Sequence, residues 1–388
     1  MKVLLCTPYL ETPDVVSSGI GTWARNIMAY NQQTGNSIDV IPVSFDRHTH
    51  IEEYTVRGIR RYRTGIKEVG KCVIKALGKI KTEKPDVIHV CTSGNLGFIK
   101  DLILVRAARK RGIRNIVHLH FGRVPSIIKE KGFEYRLLRK VLHTADMVVT
   151  IDGKSYQALS NLGYSNIAYI PNPISDTFLH EVREQENNTT RNYKSAIFVG
   201  HVILTKGVVE LVEGCSKVEG LSLRIIGKCA NDMKERLTTL AAKREDGKWM
   251  KVVGEIPYSQ VIKEMLQADS FLFPSYTEAF PNVILEAMAC GCPIASSNVG
   301  AIPEILDCDG VTAGICYPPQ SAKEVAQAAN ALYADDTYRK RLAEKAKEKV
   351  YSKYTTEKIW PQLTNIWKDV NNREKINNEN IRHNSDIQ

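Results

Sequence analysis

Two glutamates, Glu278 and Glu286, enclose the segment Ala279-Phe280-Pro281-Asn282-Val283-Ile284-Leu285. Pro281 suits a first helical position, Val283, Leu285, Ala287 and Met288 supply apolar packing, Gly291 can close the helix and Pro293 prevents its continuation, so the pattern predicts a helix from about Pro281 to Cys290. The apolar run Phe271-Leu272-Phe273 before it and Pro293-Ile294-Ala295-Ser296 after it read as buried strands. In such a strand-loop-helix-strand unit the free amides of Asn282, Val283 and Ile284 face the crevice at the carboxyl ends of the strands, where anions bind. Glu278 then stands in the loop beside the anion. Glu286 sits more than a turn further on, placed for a second polar part of the same ligand. A molecule with a phosphate and several hydroxyls meets both demands. Glutamates eight apart also arise on ordinary solvated helix faces, and it is the flanking strand, proline and glycine signals that argue for a site.

Other residues point to the same cleft. Gly200-His201-Val202-Ile203-Leu204-Thr205-Lys206-Gly207 leads from a strand toward a helix and carries Lys206, a cation suited to a phosphate, with His201 in the same loop. Gly227 and Gly254 follow apolar runs at places where backbone can approach a ligand closely. Nearer the start, Gly19-Ile20-Gly21 opens a helix containing Trp23, Ile27 and Tyr30, and His120 lies just past the strand Ile116 to Leu119, with His118 as its competitor. Gly19-Ile20-Gly21-Thr22-Trp23-Ala24 also satisfies the dinucleotide pattern of an oxidoreductase. That fingerprint should follow its strand directly, whereas about a dozen residues separate Cys6 from Gly19.

These loops need elements to hold them. Apolar strands at Val3 to Cys6, Ile38 to Val43, Val87 to Val90, Ile116 to Leu119 and Met147 to Ile151 alternate with helical stretches, as a parallel sheet with crossover helices requires. The alternation restarts with Ala196 to Val199, Leu221 to Ile226, Met250 to Val253 and Phe271 to Phe273, and becomes helical after Ile305. We therefore expect an α/β chain with a first domain over 1–180, a polar linker over 181–194, a second domain over 195–352, a closing helix over 353–370 that crosses back to the first domain, and a disordered asparagine-rich tail over 371–388. At 388 residues with 43% hydrophobic composition, two cores can be filled. Nine scattered cysteines give neither a disulfide framework nor paired zinc spacing, so reduced thiols and a cytoplasmic location are expected. No apolar run is long enough to span a bilayer, and the N-terminal run lacks the features of a signal peptide.

The net charge of +10 is concentrated: residues 57–140 hold 22 lysines and arginines against 6 acids. A basic surface can meet nucleic acid, an anionic membrane or an acidic substrate. Ile66, Val69, Val73, Leu77 and Ile80 make one helical stripe flanked by Lys67, Lys71, Lys75 and Lys79, and Ser126 to His143 is similar. Core packing with solvated basic faces is the plain reading; peripheral docking on an anionic membrane through residues 57–140 is the sharper one. Aromatic and basic residues do not interleave, so nucleic acid is not expected.

Taken together the residues resemble the retaining glycosyltransferases of family 4. The resemblance rests on Glu278 to Glu286 running on into Ala287-Met288-Ala289-Cys290-Gly291-Cys292-Pro293, on Gly300-Ala301-Ile302-Pro303-Glu304-Ile305, on Lys206-Gly207 and on Ile170-Pro171-Asn172-Pro173, and it covers the chain to about Trp367. It implies the GT-B fold: two facing Rossmann-like domains, an interdomain cleft and a C-terminal helical return. It also implies a nucleotide-diphosphate sugar as donor, a glycan or lipid-linked acceptor, a hexose-type transfer in cell-surface polysaccharide synthesis, and neither cofactor nor metal. By that resemblance the catalytic residues are Glu278, His120 and Lys206. Donor-binding falls to Gly19, Gly21, His201, Lys206, Gly227, Gly254, Phe280, Pro281, Asn282, Val283 and Glu286, with Glu286 on the ribose hydroxyls and the diphosphate on Lys206. The family's usual arginine in the Lys206 loop is His201 here, a weaker clamp that Lys228 is placed to assist. An epimerase of nucleotide sugars on the same fold, or a binding protein without catalysis, shares most of these features. Asp307-Cys308-Asp309 imitates the metal-binding carboxylate pair of the other glycosyltransferase fold, but its position in the closing region argues against a metal there.

Overall fold

The most apolar runs of the sequence form the inner strands of two sheets in the computed structural model, which describes residues 1–8, 19–35, 37–44, 59–244, 248–308 and 310–372, with only the backbone for 59–69 and 308. The first sheet comprises β1 (Lys2–Thr7), β2 (Asp39–Ser44), β3 (Val87–Thr92), β4 (Arg114–Leu119), β5 (Met147–Thr150) and β6 (Ile167–Tyr169). All its pairings are parallel, in the order β2-β1-β3-β4-β5-β6. The second comprises β7 (Asn192–Val199), β8 (Ser222–Ile226), β9 (Met250–Gly254), β10 (Ala268–Phe273) and β11 (Ile294–Ser297). A short antiparallel pair, β12 (Asp307–Cys308) and β13 (Val311–Thr312), precedes its edge strand β14 (Ile315–Tyr317). Its order is β14-β11-β10-β7-β8-β9, again parallel throughout. Helices cover both faces of each sheet, which is why β3 and β10 are buried at every position.

Each sheet reverses its winding once, between β1 and β3 in the first and between β7 and β10 in the second. Loops leaving the carboxyl ends of strands part in opposite directions at such a switch point and leave a crevice. The loops carrying Lys206 and Glu278 leave from β7 and β10, and helix Gly19–Thr34 is the next described element after β1.

The two units are joined by a double crossing. Ile174 donates its amide to the Tyr354 carbonyl at 2.8 Å and accepts the Thr356 hydroxyl at 2.9 Å. Beyond this crossing the helix Thr356–Asn372 lays Ile359, Trp360, Leu363, Trp367 and Val370 into one core cluster with Val3, Leu5, Trp23, Ile27 and Ile116 of the first unit. Glu304 of the second unit ties across as well, accepting the Gly153 amide at 2.8 Å and the Tyr169 hydroxyl.

Several elements differ from expectation. The site helix is Asn282–Ala289, with Pro281 as its N-cap in extended backbone rather than its first helical residue. The polar stretch 181–194 is not a linker. Helix Asp176–Glu186 runs into it and buries Phe178, Leu179 and Val182 in the second unit's core, and β7 begins at Asn192. Ser126 to His143 is two helices, Val124–Glu130 and Phe133–Thr144, because Lys131 turns left-handed at φ 51° and Gly132 follows in extended backbone. Three short strands follow Leu306 before the chain becomes helical from Ala322 onward. In helix Ile59–Glu83, Val73, Leu77 and Ile80 pack on the first unit's core, as do Ile127, Leu137 and Leu138 further on, so the described part of these stripes faces inward, while the side chains of Ile66, Lys67 and Val69 lie outside the described residues. No described helix is long and apolar enough to cross a membrane. The eight described cysteines are all free. Tyr9 to Ser18, Asp309 and the tail beyond Asn372 lie outside the described residues.

Because the returning helix completes the first unit's core, Leu363→Ala is expected to lower unfolding free energy by about 2–5 kcal/mol, the range for removing a fully buried leucine. Denaturant unfolding checks this; a loss under about 1 kcal/mol would mean the helix is only loosely docked.

Candidate active site

Lys206 and Glu278 meet at the second switch point. Lys206 ends the short helical turn Leu204–Lys206 after β7, and Glu278 lies in the loop after β10. The two loops are forced together by backbone: Gly207 has φ 69°, and a Cβ there would lie 2.0 Å from the Pro274 carbonyl oxygen. Tyr276 also donates its amide to the Thr205 carbonyl at 2.9 Å. The result places Lys206 Nζ 2.5 Å from Glu278 Oε1, with the side chains 26% and 11% exposed. From the other side Gly300, φ 54°, holds the loop, since a Cβ there would stand 2.3 Å from the Glu278 carbonyl oxygen, and Ala301 donates to the Ala279 carbonyl at 2.9 Å.

Directly after Glu278, buried Phe280 and Pro281 lead into helix Asn282–Ala289. Asn172 from the Ile170 to Pro173 segment reaches its mouth, donating to Asn282 Oδ1 at 3.2 Å and the Phe280 carbonyl at 3.4 Å. The amides of Asn282 and Val283, the first of the helix, have no carbonyl of a preceding turn to serve and lie where an anion can use them. Arg191 fixes the far end, donating to the carbonyls of Cys290 at 2.5 Å and Gly291 at 2.8 Å. About one turn from the mouth, Glu286 accepts the Tyr258 hydroxyl at 2.8 Å. Burial pushes the Glu286 carboxyl pKa up and the Tyr258 hydrogen bond draws it back down. Although its surroundings are dense protein, the side chain keeps part of its surface open to solvent.

The remaining second-unit residues sit on the same edge. Val202 donates to the Lys228 carbonyl at 2.9 Å, so the His201 loop and the Gly227-Lys228 loop run side by side, with His201 and Lys228 both exposed. Gly227 donates its amide to the Gly254 carbonyl at 2.8 Å, which links the ends of β8 and β9.

Across the cleft, Gly19 and Gly21 form the first turn of helix Gly19–Thr34, at the first sheet's switch point. His120 follows β4, donates its amide to the Thr92 carbonyl at 2.9 Å and packs against Trp23 at 4.9 Å and His118 at 4.0 Å between ring centroids. Burial lowers its pKa to about 3, with nearby His89 adding to the effect, so the ring is neutral. His118, the alternative in the sequence, is wholly buried one pleat below. Gly122 lies against the opposite unit: a Cβ on it would be 3.2 Å from the Ala279 Cα. The His120 loop and the Glu278 loop thus face each other. Sequence reasoning supplied the residues of both walls but missed the Lys206–Glu278 ion pair, Tyr258 and the Glu304 bridge. Nothing in sequence separation links Tyr258 to Glu286.

A lysine, helix amides and a carboxylate at a switch point, opposed by a neutral histidine in a second such sheet, describe a cleft for a phosphate-bearing polyol. Residues 17–178 match the family model described as Glycosyltransferase Family 4, and residues 181–349 match that described as Glycosyl transferases group 1. The chain belongs to the family 4 glycosyltransferases and has their GT-B fold. It is 23% identical to an uncharacterised glycosyltransferase of Methanocaldococcus jannaschii, over 95% of this chain and 98% of the relative. It is 22% identical to TuaC of Bacillus subtilis, a putative teichuronic acid biosynthesis glycosyltransferase, over 91% of this chain and 95% of the relative. The crystal structure of Anabaena HepE in complex with UDP superposes with a TM-score of 0.67 at 16% identity, covering 95% of this chain and all of that one.

Since Tyr258 is the group that offsets burial at Glu286, Tyr258→Phe is expected to raise the Glu286 pKa further. A carboxyl-carbon NMR titration reads the shift directly, and a fall or no change would show that the hydroxyl does not stabilise the carboxylate.

Proposed function

We propose that this glycosyltransferase moves a hexose-type sugar, with retention of anomeric configuration and without a metal, from a nucleotide-diphosphate sugar to a glycan or lipid-linked acceptor of a cell-surface polysaccharide. The observation that carries the reading is Lys206 beside the mouth of helix Asn282–Ala289, with Glu286 about one turn along the same helix. A departing nucleoside diphosphate needs its developing charge met by fixed donors. Lys206 and the amides of Asn282 and Val283 are such donors, with Lys228 beside His201 as a further cation. Glu286 as a carboxylate accepts the ribose hydroxyls. Neutral His120 offers a hydrogen bond to the sugar, and Glu278 orients it next to Lys206. Gly19 and Gly21 let first-unit backbone come close to the donor.

Glu278 is paired with Lys206. An arriving diphosphate competes for that ammonium and frees the Glu278 carboxylate toward the sugar, so donor binding and sugar orientation are one event. Attack by the acceptor on the same face as the leaving group then needs no covalent intermediate; this is our choice between the two retaining routes. Polysaccharide assembly as the setting is supported by the likeness to TuaC, and a uridine nucleotide as one donor candidate by the fold shared with HepE.

With a chelator present the protein is expected to turn over its donor, and Lys206→Ala to lose roughly 100-fold or more of that turnover, the scale for one charge-stabilising donor. Unchanged turnover would retire Lys206 from the diphosphate. Glu286→Ala is expected to weaken donor binding by about 1.5–3 kcal/mol, as for hydrogen bonds to a charged group. A panel of nucleotide sugars read by thermal stabilisation identifies the donor. Equal affinity of wild type and Glu286→Ala in that titration would refute the ribose contact.

A further inference from the structure

Behind His120 lies a row of buried rings contributed by four separate elements: Trp23, His89, His118 and, from the returning helix, Trp367. Trp367 donates its indole Nε1–H to His89 Nδ1 at 2.9 Å, and His89 Nε2 lies 3.2 Å from His118 Nδ1. An indole nitrogen can only donate, so His89 Nδ1 is an acceptor. Burial lowers the His89 pKa to about 3, so the ring is neutral and its single proton sits on Nε2, from which it is donated to His118 Nδ1. His118, also held neutral by burial, then carries its own proton on Nε2. One indole N–H therefore sets two tautomers in series. The last ring of the series stands 4.0 Å from His120 between centroids, tilted by 38°, with Trp23 against both. Both His118 Nε2 and His120 Nε2 are buried without a hydrogen-bond partner among the described residues.

We propose that Trp367 and His89 are positioning residues of the active site, which act through the tautomer of His118 to present His120 to the bound sugar in a single orientation. The proposal rests on the placement of His120 in the donor cleft. Nothing in it requires His118 or Trp367 to touch substrate. Cys91 lies close enough to His89 and His118 to suggest a buried metal set, with all three ligand atoms within 4.8 Å of one another. The relay and a metal are mutually exclusive, because a neutral His89 that accepts from the indole and donates to His118 has no lone pair left for an ion.

Imidazole nitrogen NMR of the wild-type protein, with no donor present, is expected to show His89 and His118 both as neutral Nε2–H tautomers. Either ring found charged or as Nδ1–H at neutral pH, or zinc binding that abolishes the His89 Nε2–H signal, overturns the proposal. Trp367→Phe keeps an aromatic ring but deletes the donor. It is expected to bring His89 partly to the Nδ1–H form, to mix the His118 tautomers and to lower kcat about ten-fold, with the donor KM changed less than about two-fold, as for a small misplacement at the reacting centre. A second pair guards against simple misfolding. His89→Gln can accept from the indole through its carbonyl and donate through its amide, and is expected to retain turnover, whereas His89→Leu loses it as Trp367→Phe does. Equal loss in both, or a His118 tautomer change with unchanged kcat, overturns the role. The tautomer series found intact in a protein that turns over no nucleotide sugar would instead overturn the glycosyl-transfer reading alone.

Discussion

Gly207 occupies the left-handed backbone region with the Pro274 carbonyl oxygen standing where a side chain would begin. That contact joins the loop after β7 to the loop after β10, and the cleft's chemistry follows from it. With any residue bearing a Cβ, the two loops must separate, and Lys206 moves away from Glu278. Gly300 applies the same constraint from the far side, against the Glu278 carbonyl. The second switch point is thus closed by backbone-to-backbone contact rather than by side-chain packing. A lysine and a glutamate at such a place need only short reaches to meet, and both ends of the following helix are pinned, by Asn172 and by Arg191.

Charge is distributed across the cleft in an uneven way. On the second unit Lys206 and Glu278 are arranged as a pair of opposite charge. The facing wall of the first unit, in contrast, is built from imidazole and indole rings that burial keeps uncharged. Under the proposed function a phosphate has one favourable side, and a sugar ring between the walls meets hydrogen-bonding groups rather than a second set of charges. The basic character of residues 70–140 is a separate matter, since the described lysines of helix Ile59–Glu83 there, Lys71, Lys75 and Lys81, are exposed.

Much of this was legible before any coordinates. Runs such as Val3 to Cys6 and Phe271 to Phe273 read as strands because both faces are covered and no polar residue interrupts them. The helix beginning near Pro281 read correctly because proline, apolar spacing and Gly291 agree on it. What escaped has a common cause: it depends on residues distant in sequence or on weak local signals. Helix Asp176–Glu186 offers only three buried apolar side chains in a polar segment, so it resembled a linker. The strand Ile315–Tyr317 is too short for periodicity to register. Lys206 and Glu278 were each recognisable, but their ion pair spans 72 positions and is set by Gly207. Tyr258 follows Pro257 at the start of an ordinary amphipathic helix and gives no sign of its partner.

The chain crosses between its units twice, at Ile174 and at Thr355, and its last helix supplies Trp360, Leu363 and Trp367 to a core otherwise made from residues before 171. Domains synthesised first generally fold first. Here the hydrophobic face over β1, β3 and Trp23 stays open until the entire second unit has been translated, so the earlier half of the polypeptide can reach its native core only after the later half has emerged from the ribosome. Truncation between Asn192 and Ile359 removes the whole of that closing face, so it leaves the opening half of the protein with exposed apolar surface however distant the cut.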